Sequence, residues 1–271
     1  MRVIVHPGFH KTGTSTIQTG LREVSAHWPD WAIALREDIP DAAAAARAFS
    51  LTRDPFELGL YQAALASWAD ALPEDTTQAV ISIEGLAGHM PGRDGVLDYS
   101  ATPALMGALA EVFRAKYEDA LELQLFLTTR EKTAWIESLH WQHVRSGMLT
   151  DSLDSFRTRL SGFDLAPVLR EIVSTVDPAP VTWVMLDEAR DNPHGPLTPL
   201  LDLMGVPPEA RASLGAGVIA NARPRSVDRA ALADQLAAIN AEGLPREVTK
   251  EKKRAILRAA WREEAEAKSD E

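Results

Sequence analysis

Between Gly8 and Thr16 the chain gathers two glycines, one lysine and four hydroxyl side chains: Gly8, Lys11, Thr12, Gly13, Thr14, Ser15 and Thr16. An apolar stretch, Val3-Ile4-Val5, leads into this segment, and a helix is expected to open at about Thr14. A turn of this composition aims backbone N–H groups, hydroxyls and a cation at one point. The helix N-terminus adds partial positive charge there, so the ligand such a turn suits is an anion, phosphate or sulfate. Read without a ligand, it is an ordinary strand–turn–helix connection.

The segment is close to the triphosphate-binding loop Gly-x-x-x-x-Gly-Lys-Ser/Thr but differs at the decisive position. Gly8 and Gly13 have the right separation; Thr14 follows Gly13, and the lysine stands two residues earlier, at Lys11. A lysine placed before the glycine cannot reach a terminal phosphate by the same route. The stretch His10-Lys11-Thr12-Gly13-Thr14-Ser15-Thr16 instead resembles the 5′-phosphosulfate loop of sulfotransferases that use 3′-phosphoadenosine-5′-phosphosulfate (PAPS). Bacterial and heparan-type members carry His-Lys-Thr-Gly-Thr-Thr there, and Ser15 keeps the hydroxyl of the last threonine.

A second motif adds to the first. The apolar stretch Leu121–Leu127 ends in Thr128-Thr129-Arg130, and Ser138 follows eight residues after the arginine. An Arg fork can hold two phosphate oxygens, and a Ser two helical turns on supplies a further donor. In the sulfotransferases that the loop resembles, an Arg and a Ser at this spacing hold the 3′-phosphate, the group that separates PAPS from ATP. The departure is Arg130-Glu131-Lys132, where the family usually has Arg-Asp-Pro. Trp141-Gln142 through Gly147, the segment Val181–Glu188, Leu200 to Pro207 and Asn221-Ala222-Arg223-Pro224-Arg225 extend the resemblance over nearly the whole chain, though only the two phosphate motifs are specific.

What the resemblance implies for chemistry is transfer of a sulfuryl group from PAPS to a hydroxyl or amine. Such a reaction needs a cation at the bridging oxygen, donors around the sulfate and a base for the acceptor proton. Lys11 is then the catalytic cation. Thr12, Gly13, Thr14, Ser15 and Thr16, with Lys11, hold the 5′-phosphosulfate, Arg130 and Ser138 hold the 3′-phosphate, and no metal is required. Glu84, at the end of the apolar run Ala79–Ile83, is the candidate base, with a turn-capping role as the alternative. His89 is a further base candidate. His6 and His10 flank the loop, and His140 and His143 share a helix face, where structural or substrate-lining roles are expected rather than metal ligation.

The elements that must position these groups follow from the hydrophobic pattern. Apolar runs at Val3–Val5, Ala79–Ile83, Leu121–Leu127 and Val181–Leu186, and a weaker one at Trp31–Leu35, read as buried strands separated by helices. The expected fold is α/β: a single domain over 1–271 with a central parallel sheet flanked by helices and a P-loop-like strand–loop–helix at the N-terminus. Helices are expected over about 14–27, 55–72, 101–117, 131–147, 152–160, 164–176, 195–204, 226–241 and 247–267. Ala42–Ala46 reads as a helix-forming run. The charged run Lys250 to Arg254 reads as a solvated face of a helix docked by a narrow apolar stripe with Leu257 and Trp261.

Composition bounds the rest. The 271 residues include no cysteine, which excludes disulfides, zinc–thiolate sites and cysteine nucleophiles and accords with a reducing, cytoplasmic setting. No apolar stretch of membrane-spanning length occurs. The Ala-rich, Cys-free composition has a bacterial character. A net charge of −11 argues against nucleic acid as a partner. It also disfavours a highly anionic polymer as acceptor unless basic residues are gathered at the site. Acceptor-binding segments are expected at 36–60, 85–103 and 140–165; a small molecule or carbohydrate is the acceptor class, carbohydrate by analogy with the heparan-type loop. Oligomeric state is open. Two other readings compete. One is a P-loop kinase or NTPase, with Val184 to Glu188 mimicking a magnesium-positioning strand end. The other is a nucleotide-binding protein that lacks turnover.

Overall fold

The computed structural model of the protein describes residues 1–212, 214 and 229–269. Five strands are formed: β1 (Arg2–His6), β2 (Ala32–Ala34), β3 (Gln78–Ser82), β4 (Glu122–Thr129) and β5 (Val181–Met185). The described helices are α1 (Thr14–His27), α2 (Pro40–Thr52), α3 (Pro55–Asp70), α4 (Thr102–Tyr117), α5 (Lys132–Ser146), α6 (Leu153–Arg159), α7 (Leu165–Val176), α8 (Leu186–Ala189), α9 (Leu197–Met204), α10 (Pro208–Arg211), α11 (Arg229–Ala241) and α12 (Arg246–Ser269). Short 3₁₀ turns stand at Glu84–Ala87 and Glu118–Ala120. The expected segment Asn221 to Arg225, and positions 226–228 of the expected helix 226–241, lie outside the described residues.

The chain forms two compact units, Met1–Lys132 with Asp164–Ala220 and Thr133–Phe163 with Asn221–Glu271. The first unit holds the sheet, in the order β2-β3-β1-β4-β5 with every pairing parallel. The expected α/β fold with a central parallel sheet flanked by helices is therefore present. β1 lies between β3 and β4, with Val3 opposite Ala79 on one side and Leu123 on the other. After β1 the chain leaves toward β2, and after β3 it crosses to β4, so the winding reverses at β1. In open sheets of this kind, ligands bind beyond the carboxyl ends of the strands at that reversal.

Burial on both faces explains the unbroken apolar runs. Ile4, Val80 and Phe126 share a core with Ile17 and Leu21 of α1 and Leu197, Leu200, Leu201 and Met204 of α9. Their strand neighbours Val3, Val5, Ala79, Ile81 and Leu125 point the other way and are equally buried. Small residues set the close approaches. A Cβ on Gly20 would stand 2.2 Å from Leu197 Cδ2, so any larger residue there would have to displace that side chain at the α1–α9 contact. The helix α2 lies on α3 and on the Glu84–Ala87 turn, and it is built from the alanine run: Ala42, Ala43, Ala45 and Ala46 are all buried. Read from sequence only as helix-forming, that run is the contact surface of a complete helix opened by Pro40.

In the second unit, Val144 of α5 packs with Ala233, Leu236 and Ala237 of α11, and Leu257 of α12 joins them. The basic run on α12 departs from a solvated face at one position. Lys253 is buried, in line with Thr249 and Ala260, whereas Trp261 is 51% exposed. The docking stripe thus runs through a lysine rather than through Trp261. The physical reason lies at the end of α5: Lys253 Nζ donates to the carbonyls of Val144 (3.1 Å) and Gly147 (2.7 Å) and to Asn240 Oδ1 (2.9 Å). Asn240 Nδ2 donates to Val144 O and Leu149 O at 3.1 and 2.7 Å. A cation at a helix C-terminus meets the negative end of the dipole and its free carbonyls.

Candidate functional site

The turn between β1 and α1 is shaped by left-handed backbone. Gly8, Lys11 and Gly13 have φ of 62°, 68° and 99°. Gly13 occupies the N-cap with no side-chain cap, and Thr16 and Ile17 N–H return to its carbonyl at 3.0 and 3.3 Å. The N–H groups of Thr14 and Ser15 lie in the first turn of α1, where no intrahelical acceptor exists. Left-handed residues interspersed in a turn curl it into a concavity of N–H groups, which suits an anion. A Cβ on Gly8 would lie 2.4 Å from Thr14 Cγ2 and 3.5 Å from Glu84 Cα, so Gly8 is where turn, helix and base candidate meet.

Beneath the turn runs a buried chain of hydrogen bonds whose direction can be derived. The Thr12 hydroxyl donates to Phe9 O (2.6 Å), so at its 2.7 Å contact with Thr128 Oγ1 it accepts. Thr128, having donated, accepts from His6 Nε2 across 3.5 Å, and the Ser82 hydroxyl donates to His6 Nδ1 at 2.8 Å. The chain requires one tautomer, with the proton on Nε2. Burial drives the His6 imidazole down from 6.5 to about 3, so it stays neutral. This network ties the turn to the ends of β3 and β4. It also turns the Thr12 hydroxyl inward, so that Thr12 can serve a ligand through its backbone but not through its side chain.

Arg130 follows β4 and donates from Nη1 to Lys11 O at 3.3 Å, which brings the second phosphate motif against the first. Glu84 follows β3 and accepts from the Thr14 hydroxyl at 2.8 Å. Ser15 is exposed and Thr16 half-buried, so both hydroxyls can face a ligand. Strand order then fixes the sequence of groups along the carboxyl edge of the sheet: Arg36 after β2, Glu84 after β3, the turn after β1 and Arg130 after β4. Ser138 is buried on α5, in the second unit.

His89, His140 and His143 are engaged within the fold. His89 is buried; its Nδ1 meets Met90 O at 2.9 Å and its Nε2 meets Asp94 Oδ2 at 3.1 Å, so both nitrogens are already engaged. His140 donates from Nε2 to Asp151 O at 2.8 Å, and the rings of His140 and His143 both pack on Phe156. Among the described residues no group of three or more His, Asp or Glu side chains is placed to hold a metal ion. Asp187, at the strand end that mimics a magnesium motif, accepts from Arg190 at 2.7 Å.

One residue of the site has no sequence signal. The buried Tyr99 hydroxyl accepts from His10 N–H (2.8 Å) and donates to His10 Nδ1 (3.0 Å), while its ring lies 4.6 Å from that of Phe9. Burial above all, with the charge of Glu84, raises its phenol well above the usual range, against a lowering pull from the His10 N–H. Tyr99 is therefore a neutral anchor for the outer side of the turn. Thr128 could have been suspected, since it stands two residues before Arg130 at the same strand end.

Among the described residues, no helix is long and apolar enough to cross a membrane. No family model matches the sequence, and neither a curated protein nor a solved structure matches it.

Proposed function

We propose that this chain is a PAPS-dependent sulfotransferase that moves a sulfuryl group to a hydroxyl or amine of a small-molecule or carbohydrate acceptor. The observation that carries the reading is the convergence at β1, β3 and β4. An N–H concavity with Lys11, an arginine bonded to the Lys11 carbonyl and a carboxylate bonded to Thr14 occupy adjacent strand ends. PAPS supplies an activated sulfuryl group on a 5′-phosphate, with a second phosphate at the 3′ position. For such a nucleotide, anionic at both ends, the N–H groups of Thr14 and Ser15 with the hydroxyls of Ser15 and Thr16 are the donors for the 5′ end, and Arg130 is the donor for the 3′ end.

In this mechanism Glu84 takes the proton of the acceptor hydroxyl as the acceptor oxygen bonds to sulfur. Lys11 meets the negative charge that collects on the phosphate oxygen as the sulfur–oxygen bond breaks, so that 3′,5′-diphosphoadenosine (PAP) leaves. We place the enzyme in the cytoplasm of a bacterial cell, since a chain without cysteine needs no oxidising compartment. Thermal shift with PAP against ATP and magnesium tests the donor: stabilisation by PAP is expected, and stabilisation by ATP alone would transfer the site to the kinase reading. Transfer of label from PAPS to an acceptor panel tests turnover.

A further inference from the structure

The chain carries a net charge of −11, yet Arg47, beside the turn that Glu84 opens, has Arg36 and Arg93 close to it. Arg47 lies on α2, half-buried, with Nη1 3.6 Å from where a Cβ on Gly85 would stand, next in sequence to Glu84. Arg36 leaves the carboxyl end of β2 and Arg93 lies in the loop after the 3₁₀ turn; both are exposed. Arg36 and Arg93 both lie close enough to repel the charge on Arg47, which is lowered in proton affinity first by burial and then by each of them.

The carboxylates nearby do not neutralise the group. Among the described residues, Arg36 and Arg47 form no ion pair, and the only one for Arg93 is Asp94 at 3.5 Å, shared with His89. Glu37, beside Arg36 in sequence, pairs with Arg22 at 2.9 Å, and Asp38 accepts from Leu35 N at 2.7 Å. Glu84 is turned to Thr14. Like charges gathered without counter-charge cost free energy that an arriving anion recovers, and planar guanidinium forks match carboxylate and sulfate oxygens.

Position decides which anion. Lys11 and Arg130 stand on the β1–β4 side of Glu84, and Arg36 stands on the β2 side, one strand further out, about 4.8 Å per strand. The donor end and the arginine cluster are thus on opposite sides of the base. Resting on the sulfotransferase reading, we propose that Arg36, Arg47 and Arg93 form an acceptor subsite that takes a carboxylate or sulfate group on the molecule whose hydroxyl or amine meets Glu84. The same loops were expected from sequence to bind acceptor. The overall negative charge disfavoured an anionic acceptor unless basic residues were gathered at the site, and these three arginines are such a gathering.

The test is saturation-transfer NMR on the full chain with saturating PAP, using glucuronate and glucose 6-sulfate, each against glucose. The comparison is wild type with an Arg36→Gln/Arg47→Gln/Arg93→Gln variant whose melting and PAP affinity are measured first. Expected is a signal for an anionic sugar roughly fivefold or more above glucose, lost in the variant while PAP affinity stays within about twofold. Which of the two anionic sugars responds identifies carboxylate or sulfate. Equal signals for glucose and both anionic sugars, or an anionic signal that survives the variant, overturn the subsite. Failure of PAP to bind overturns the donor reading instead and leaves the sugar comparison standing. Should the triple variant not fold, the exposed Arg36→Gln carries the comparison and is expected to lose part of the signal; no loss counts against the subsite.

Discussion

The Thr14 hydroxyl donates to Glu84 Oε1 at 2.8 Å, so the first residue of α1 and the first residue of the 3₁₀ turn that follows β3 are joined across 70 positions of sequence. The bond holds the carboxylate against the turn between β1 and α1, where the proposed reaction requires the acceptor oxygen to arrive. It also makes two roles separable. As a base, Glu84 governs turnover; as a turn cap, it governs only stability. Glu84→Gln keeps the shape and removes the base. The predicted outcome is a fall in kcat of about 10²–10⁴-fold with PAP affinity within about threefold of wild type. Steady-state kinetics beside PAP calorimetry check it, and an unchanged kcat would return Glu84 to a capping role.

Lys11 and Arg130 are predicted to fail differently. Lys11 stands in a left-handed conformation, and its backbone carbonyl is the atom Arg130 holds. Lys11→Ala keeps that carbonyl and removes only the cation, so turnover is expected to be lost while much of the nucleotide affinity remains. Arg130→Ala is expected to weaken PAP binding by about 2–5 kcal/mol, the loss typical of one partner in a desolvated charge pair. Equal activity of wild type and Lys11→Ala sinks the catalytic assignment, and an Arg130→Ala variant with wild-type affinity sinks the 3′-phosphate assignment.

The sheet was legible because strands buried on both faces leave unbroken apolar runs, and all five expected strands formed. The opening of α1 at Thr14 was legible because Gly13 marks it. Less of the site could be read. Sequence supplies the Thr12 hydroxyl but not its direction, which is set by Thr128 from 116 positions away. Tyr99 reaches His10 over 89 positions and belongs to no motif. Arg36, Arg47 and Arg93 are scattered over α2 and two loops, and only the fold brings Arg36 and Arg93 close to Arg47. Helix α2 lacked a polar face to give it a period, because four of its alanines are interior. Local pattern determined the frame; contacts between distant segments determined which groups the frame presents.

His6 links the site to acid stability. Its folded pKa of about 3 lies below the ordinary histidine value of 6.5, and it is wholly buried. Between those values the unfolded chain binds a proton that the folded chain does not. Stability from this group is therefore complete above about pH 6.5 and declines as pH falls toward 3, at about 1.4 kcal/mol per pH unit. His6→Gln loses packing at every pH but also loses this slope. Urea unfolding of both proteins between pH 7 and 4.5 is predicted to show the stability gap narrowing by about that amount per unit as pH falls. A gap independent of pH would mean that His6 is not held neutral.

Within one basic run on α12, one lysine is predicted to behave unlike the two beside it. Lys250 and Lys252 are exposed, the first beside Glu247 at 3.6 Å and the second paired with Glu242, and exposed pairs contribute about 0–1 kcal/mol. Lys253 is buried with all three of its donors engaged, and burial, with the charge of Arg246, lowers its proton affinity. Lys253→Met removes that desolvation cost, but it leaves Gly147 O and Asn240 Oδ1 without their donor at the end of α5. An unmet buried polar group costs about 1–3 kcal/mol, so the predicted net loss is about 2–4 kcal/mol. Lys250→Met and Lys252→Met are expected to stay within about 1 kcal/mol of wild type. Denaturant unfolding of the three variants decides the matter: if Lys253→Met is as stable as Lys250→Met, the buried ammonium does not hold the end of the helix that carries Ser138.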